Sequence, residues 1–238
     1  MRNRVVLISS LVVVALVAAL LAGEFLARHT VKKCMAEQFE TDLGTNVDIG
    51  LSAKPMLLQL VDKEVPYITV DSDDTAFGPA KDMQVHARVD DIVITDSSNS
   101  SGTIGSSSAD IDWPTAGITA TMQDQPLFGM ITGVTANKTD GTLRFEVGPL
   151  AELTVRPYIQ GGRVEVETMN ARVLVIGLPT ELVDGVVKVI TDSLQVYPIG
   201  MTPKSLKVTD EGLEMSLAGG NFTMPPRPSG TESCGVLS

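Results

Sequence analysis

The residue types with which this chain could do chemistry are two histidines, several closely spaced aspartates and two cysteines. His29 stands among Arg28, Lys32 and Lys33, and His86 alternates with Arg88 in an extended run. Neither has a second histidine, a cysteine or a Gly-x-Ser-x-Gly elbow at ligand or catalytic spacing, so both read as structural. The aspartates come as Asp71, Asp73 and Asp74, as Asp90 and Asp91, and as Asp110 and Asp112. An Asp-x-Asp pair on a strand points both carboxylates to one face and could hold a hard cation. No EF-hand loop follows any of them, and solvated strand ends explain them better. Gly161-Gly162 lacks the lysine of a phosphate loop and opens a strand pattern rather than a helix. With no nucleophile and base at usable spacing, the chain is expected not to be an enzyme: no catalytic residue, no metal and no cofactor.

The cysteines, Cys34 and Cys234, depend on the compartment for their meaning. Arg2 and Arg4 precede the uncharged run Val5–Gly23, and Glu24 closes it. As a helix this run spans about 28 Å, near the hydrocarbon thickness of a bilayer. No small-x-small cleavage site follows, since Ala27 has Phe25 two positions before it and Gly23 has Leu21. Val31, Lys32 and Lys33 before Cys34 make no lipobox. The expectation is an uncleaved signal-anchor, with residues 1–4 cytoplasmic and 5–23 in the membrane. Arg2 and Arg4 are balanced by Arg28, Lys32 and Lys33, so positive charge alone does not orient it. The export-signal form and the cysteine pair favour an extracytoplasmic domain on a single-pass cell-membrane protein. In that compartment Cys34 and Cys234 are most simply a disulfide; the alternative is two buried thiols in a cytosolic protein.

The formal net charge is −11, and Glu24 is the one acid before residue 34. The outer part is therefore more acidic still, which argues against nucleic acid and against broad adsorption to anionic lipid. A hydrophobic content of 43% over this length fits one sizeable core. Aromatics are 4% while there are 10 methionines, which suits either an adaptable apolar cavity or ordinary core filling.

The elements that would position these groups follow from periodicity. Val31, Met35, Phe39 and Leu43 recur every four residues, giving an amphipathic helix that ends at Gly44 and continues out of the membrane helix. From Val47 to Ile176 the period is two, in runs such as Val65–Asp71, Val85–Thr95, Leu143–Val147, Leu153–Tyr158 and Val164–Thr168. Turns at Asp140-Gly141 and Gly161-Gly162 make this an antiparallel meander. Thr95–Ser108 reads as a solvated loop. Helical spacing returns at Pro179–Leu194, where Leu182, Val186, Ile190 and Leu194 form one stripe. Strands are expected at Ser205–Thr209, Leu213–Leu217 and Asn221–Met224. The class is α+β, one domain over residues 24–224, with a proline-rich tail, 225–238, pinned by Cys234.

Two apolar segments stand where a turn or surface is expected: Met56, Leu57, Leu58, Leu60 and Val61 after Lys54-Pro55, and Leu127, Phe128, Met130 and Ile131 after Pro126. They could form the mouth of a ligand cavity or plug the ends of a barrel-like sheet.

The run Val47-x-Ile49 … Ala53-x-Pro55-Met56-Leu57-Leu58-Gln59-Leu60-Val61, followed by Tyr67-Ile68-Thr69-Val70, resembles a segment of the actinobacterial LmeA-like phospholipid-binding family, whose pattern is G-x-P-F-L-T-Q-L-L and a strand. Ala53, Met56, Leu58 and Lys63 depart from it. Tyr197-Pro198-Ile199-Gly200-Met201, with Ser205–Leu213, is similar to that family's L-P-x-G-L … V-x-V-x-x-x-G-L ending. The resemblance covers roughly residues 25–224. It implies an envelope protein that binds phospholipid, of phosphatidylinositol type among the candidates, and serves envelope lipid or lipoglycan (lipomannan-type) biogenesis. It also implies a tubular architecture, a long curved antiparallel sheet wrapped around one or two helices. Met56, Leu57, Leu58, Leu60, Leu127, Phe128, Met130, Leu182, Val186 and Ile190 are then the expected lipid contacts. The rival expectation is a non-catalytic scaffold that stabilises a membrane glycosyltransferase through protein contacts.

Overall fold

The computed structural model describes residues 2–43, 45–72, 76–77, 80–95, 97–124, 129–148, 151–173, 180–195 and 197–226. The first element, α1 (Arg2–Leu43), is one continuous helix of 42 residues. At about 1.5 Å per residue it is about 63 Å long, twice a bilayer core. Its two halves have different surfaces. Leu7, Leu11, Leu16, Leu20 and Leu21 are all exposed, the pattern of a helix apolar all round. Beyond Arg28 the apolar residues fall on one side: Val31 is buried, and Met35, Ala36 and Phe39 pack on the sheet.

The strands that follow are β1 (Val47–Leu51), β2 (Glu64–Ser72), β3 (Ala76–Phe77), β4 (Ala80–Lys81), β5 (Gln84–Ile94), β6 (Gly102–Ile104) and β7 (Ser106–Pro114), with α2 (Met56–Asp62) between β1 and β2. After α3 (Thr115–Gln123) come β8 (Ile131–Asn137), β9 (Thr142–Val147), β10 (Ala151–Gln160) and β11 (Arg163–Val173). Helix α4 (Thr180–Leu194), a turn at Pro198–Gly200, β12 (Thr202–Val208), β13 (Gly212–Gly219) and β14 (Phe222–Met224) complete the described chain. One sheet has eight strands, ordered β1-β2-β5-β7-β13-β12 with the β6–β14 pair attached to β5. A second has four, ordered β11-β10-β9-β8, and β3 and β4 form a separate two-stranded pair. All are antiparallel throughout, and among the described residues neither of the two larger sheets closes on itself. This is an α+β fold in which curved sheet wraps helices. The β10–β11 hairpin turns at Gly161-Gly162, both at positive φ (59° and 76°), as a two-residue loop requires.

Curvature has local causes. β5 pairs with β7 as far as Asp90↔Ser106 and with β6 from Val93↔Thr103. Asp91, at φ 53°, makes the corner between the two, and Gly105 donates its N–H to the carbonyls of Asp90 and Asp91 at 3.1 Å. Bulges between Thr154 and Val155, and between Pro203 and Ser205, bend the other sheet and the far edge.

The core is in two parts. The larger joins both sheets, with Trp113, Phe145, Leu153, Val155, Val164, Leu213 and Met215 packed around Ile118 and Met122 of α3 and Val186, Ile190 and Leu194 of α4. Burial of each such side chain contributes about 1.5–3 kcal/mol. The smaller, Val47, Ile49, Val65, Ile68, Ile92 and Ile104, lies under α1. Ile199 packs on both. It holds φ 47° and ψ 39°, a left-handed conformation that costs a β-branched residue energy and persists because both cores grip the side chain.

Two stretches differ from the sequence expectation. The serine-rich segment read as a loop contains β6 and the start of β7, whose backbone pairs with β5 and β13 while Ser107 and Ala109 are buried on its inner face. Thr115–Gln123 is a helix although threonine and glycine disfavour one. Pro114 opens it, and the burial of Ile118 and Met122 outweighs propensity. Gly117 permits this packing, since a Cβ there would lie 2.4 Å from the Lys81 carbonyl oxygen.

Candidate lipid-binding site

Helix α2 is built on the end of the apolar half of α1. Pro55 precedes it with extended geometry, φ −55° and ψ 133°, and offers no side-chain cap. The cap comes from elsewhere: Glu24 of α1 accepts the Met56 N–H on both carboxylate oxygens, at 2.9 and 2.8 Å. Arg28, one helical turn on, places Nε 2.6 Å from Glu24 Oε1. It also donates Nη1 to the Ser52 carbonyl (2.9 Å) and Nη2 to the Lys54 carbonyl (2.8 Å). Gln59, buried, donates to the same Lys54 carbonyl at 2.7 Å. At the other end Lys63 adopts φ 58° and returns its N–H to the Gln59 carbonyl. Lys54 pairs with Asp62 at 2.7 Å, and its hydrogen bond, aided by the Glu64 N–H, holds the Asp62 carboxyl below the usual carboxylate value.

This clamp turns Met56 and Gln59 inward and leaves the opposite side of α2 apolar and bare. Leu57 is 41% exposed, Leu58 54% and Val61 82%. Phe25 and Leu26 on α1 are exposed beside the Glu24 clamp, at 72% and 63%.

The other expected site residues lie apart from α2. Val186 and Ile190 are fully enclosed in the larger core, where α4 packs on β11. Tyr197 reinforces this region: its hydroxyl accepts the Val164 N–H at 2.9 Å, and Gln195 donates to the Val164 carbonyl at 2.8 Å. Burial raises the Tyr197 phenol above its ordinary value, against the opposing pull of the Val164 N–H. Met130 is exposed in the turn entering β8, with its carbonyl accepting the Gly148 N–H. Leu127 and Phe128 lie outside the described residues, as do the side chains of Leu60 and Leu182. Cys34 is half-buried on α1, and Cys234 is outside the described residues.

The polar candidates have ordinary structural partners. His86 Nδ1 is 2.9 Å from Asp71 Oδ1 across the β2–β5 pair, both exposed. Arg88 bonds Asp90 and lies 4.0 Å over the Tyr67 ring. Asp110 and Asp112 line an open hollow of about 380 Å³ on the β7–β13–β12 face with Lys207, Glu214, Ser205 and Ser216. It is a polar depression, distant in character from an acyl-chain site. Among the described residues no group of three or more His, Cys, Asp or Glu is arranged to hold a metal.

The sequence model of the LmeA-like phospholipid-binding family matches residues 18–218, from inside the apolar run to the end of β13. The chain belongs to this family. An uncharacterized protein of Mycobacterium bovis and its counterparts in two strains of Mycobacterium tuberculosis are each 29% identical to it over 201 residues. The alignment takes in 82% of this chain and 58% of the relatives, so the chain matches little more than half of their length. No solved structure matches it. Within the LmeA-like frame, the two segments that carry the resemblance have distinct places: 53–61 makes α2, and 197–201 makes the turn at Ile199 that joins the two cores. Sequence reasoning missed Glu24 and Arg28, which it used only as boundary and orientation charges. Their i, i+4 spacing directly after the apolar run was the available signal.

Proposed function

We propose that this chain is a single-pass, extracytoplasmic phospholipid-binding protein that supports cell-envelope lipid or lipoglycan biogenesis without catalysing a reaction. The family match across residues 18–218 carries the reading. The exposed apolar surface of α1 supports the anchor. In this reading acyl chains enter between α4 and the sheets, where Met122, Met201 and Met215 give the interior side chains that can repack around a guest. Each buried CH₂ contributes about 0.8 kcal/mol, so part of one chain suffices for useful affinity with few polar contacts. Cys34 pairs with Cys234 and fastens the proline-rich tail to α1. The head group, with a phosphatidylinositol type among the candidates, stays at the aqueous rim.

A second reading is favoured by one observation. Val186 and Ile190 are wholly enclosed, as in a packed core, which suits a scaffold that supports a membrane glycosyltransferase through protein contacts. A phospholipid carrying a photoactivatable group on its acyl chain separates the two. Incubated with the full chain in vesicles, it should label peptides of α4 and the four-stranded sheet as well as α1. Label confined to α1 would support the scaffold and contradict lipid binding in the domain.

A further inference from the structure

We infer that α2 is a membrane-docking element: Leu57, Leu58 and Val61 insert into the outer leaflet of the bilayer that α1 crosses, beside Phe25 and Leu26. The inference rests on the reading of α1 as a membrane span and goes beyond it, because it assigns lipid contact to a second element. Three observations carry it. First, the level of α2 along the membrane normal is fixed by the clamp. Glu24 is the first charge after the apolar run, and it holds the Met56 N–H directly, so α2 begins where the hydrocarbon ends. Second, the clamp leaves a set of large apolar side chains bare, Leu57, Leu58 and Val61 on α2 and Phe25 and Leu26 on α1, while the exposed carboxylate of α2, Asp62, is paired with Lys54. Apolar side chains so exposed and so close together mark a surface made to be covered. Third, charged groups of both signs flank this patch, as suits a zwitterionic head-group layer: Arg28 paired with Glu24, Lys54 with Asp62 and Glu64, and Lys63, with Lys32 one turn further along α1. Continuity with the exposed apolar surface of α1 identifies the cover as lipid. The Glu24–Arg28 pair belongs to the same design. A carboxylate at the edge of the hydrocarbon is costly unless its charge is paired and its oxygens accept hydrogen bonds, and here Arg28 and the Met56 N–H do both.

Docked in this way, the segment that resembles the family pattern, which makes α2, is itself the part of the domain that enters the leaflet. Shallow burial of three aliphatic side chains is reversible on its own and strong only in combination with the anchor.

The test places a reporter on the patch. Leu58→Trp and Val61→Trp are made in the full chain, separately, and reconstituted into phosphatidylcholine vesicles carrying bromine on the upper part of the acyl chains. Trp113, buried in the larger core, is the internal reference in the unmodified protein. The expected result is emission shifted to shorter wavelength at both new sites and quenching several-fold greater than that of the unmodified protein. Water-like emission, accessible to iodide and indifferent to brominated lipid at both sites, would overturn the inference. So would shielding that occurs only with native membrane proteins present and not with pure lipid, which would assign the patch to a protein partner. Alkaline extraction of the same vesicles distinguishes the two levels. Chain that stays in the pellet with an unquenched reporter refutes docking and keeps the anchor; chain that washes off refutes the anchor and the docking together.

Discussion

Both carboxylate oxygens of Glu24 accept the backbone N–H of Met56, so the first turn of α2 is capped by a side chain of α1, 32 residues earlier in the chain. Helix α1 and the first family-like segment are thereby joined directly. Replacing Glu24 with Gln removes the charge that balances Arg28 and weakens the cap. A lost N-cap costs about 0.5–2 kcal/mol. Amide exchange of residues 57–62 should accelerate in Glu24→Gln while that of β7 and β13 stays unchanged. Uniform protection in the variant would show that Pro55 and the Gln59 contacts hold α2 without the clamp.

Gly200 has φ 72°, and a Cβ on it would lie 2.7 Å from Cδ2 of Phe222. Gly200→Ala therefore combines a left-handed strain with a push on β14, at the turn that joins the two cores. A loss of about 1–3 kcal/mol is expected, seen as a lower midpoint in thermal unfolding. An unchanged midpoint would mean that the turn relaxes freely and does not tie the cores together.

Tyr197 links stability to alkaline pH. Its folded phenol is raised above the ordinary value of 10.0, chiefly by burial, so the folded state holds the proton more tightly than the unfolded chain. The contribution is fully present below pH 10 and is lost as pH rises through the higher folded value. Chemical unfolding measured from pH 8 to 11 should fall off above 10 in the native sequence and less steeply in Tyr197→Phe. The variant also loses about 1 kcal/mol at neutral pH, because the Val164 N–H is left without its acceptor. Parallel curves at all pH values would remove Tyr197 from the account.

How far the sequence foretold this arrangement varies by element. α4 was legible because Val186, Ile190 and Leu194 repeat at helical spacing and all three are buried. The β10–β11 hairpin was legible because Gly161-Gly162 admits few other turns. α3 was not, since Thr115, Gly117, Thr119 and Thr121 argue locally for anything but a helix, and the packing of Ile118 and Met122 that overrules them is long-range. β6 and β7 hid behind serines, because what makes them strands is backbone pairing with β5, β13 and β14, which residue type does not reveal. At the candidate site the apolar character of 56–61 was plain. Which side of it faces outward depends on Glu24 and Arg28, and no periodicity within seven residues could reveal that.

The Cys34–Cys234 disulfide proposed above closes a loop of about 200 residues, for which the chain-entropy relation gives on the order of 5 kcal/mol as an upper figure. Non-reducing peptide mapping of protein exported by its own host should recover the two cysteines in one cross-linked peptide pair, and Cys34→Ser should lower the unfolding midpoint. Recovery of both as free thiols would refute the pairing and leave the tail unpinned.

Phospholipid binding in the domain is tested most directly by counting lipid. The full chain, exchanged from membranes into an amphipathic polymer, is compared with the α1 peptide, residues 1–43, handled identically, and the phospholipid in each is identified and counted by mass spectrometry. The account predicts about one phospholipid per chain beyond what the α1 peptide retains, with one head group enriched over its share in the membrane. Equal lipid in the two samples, with the membrane's own composition, would contradict it.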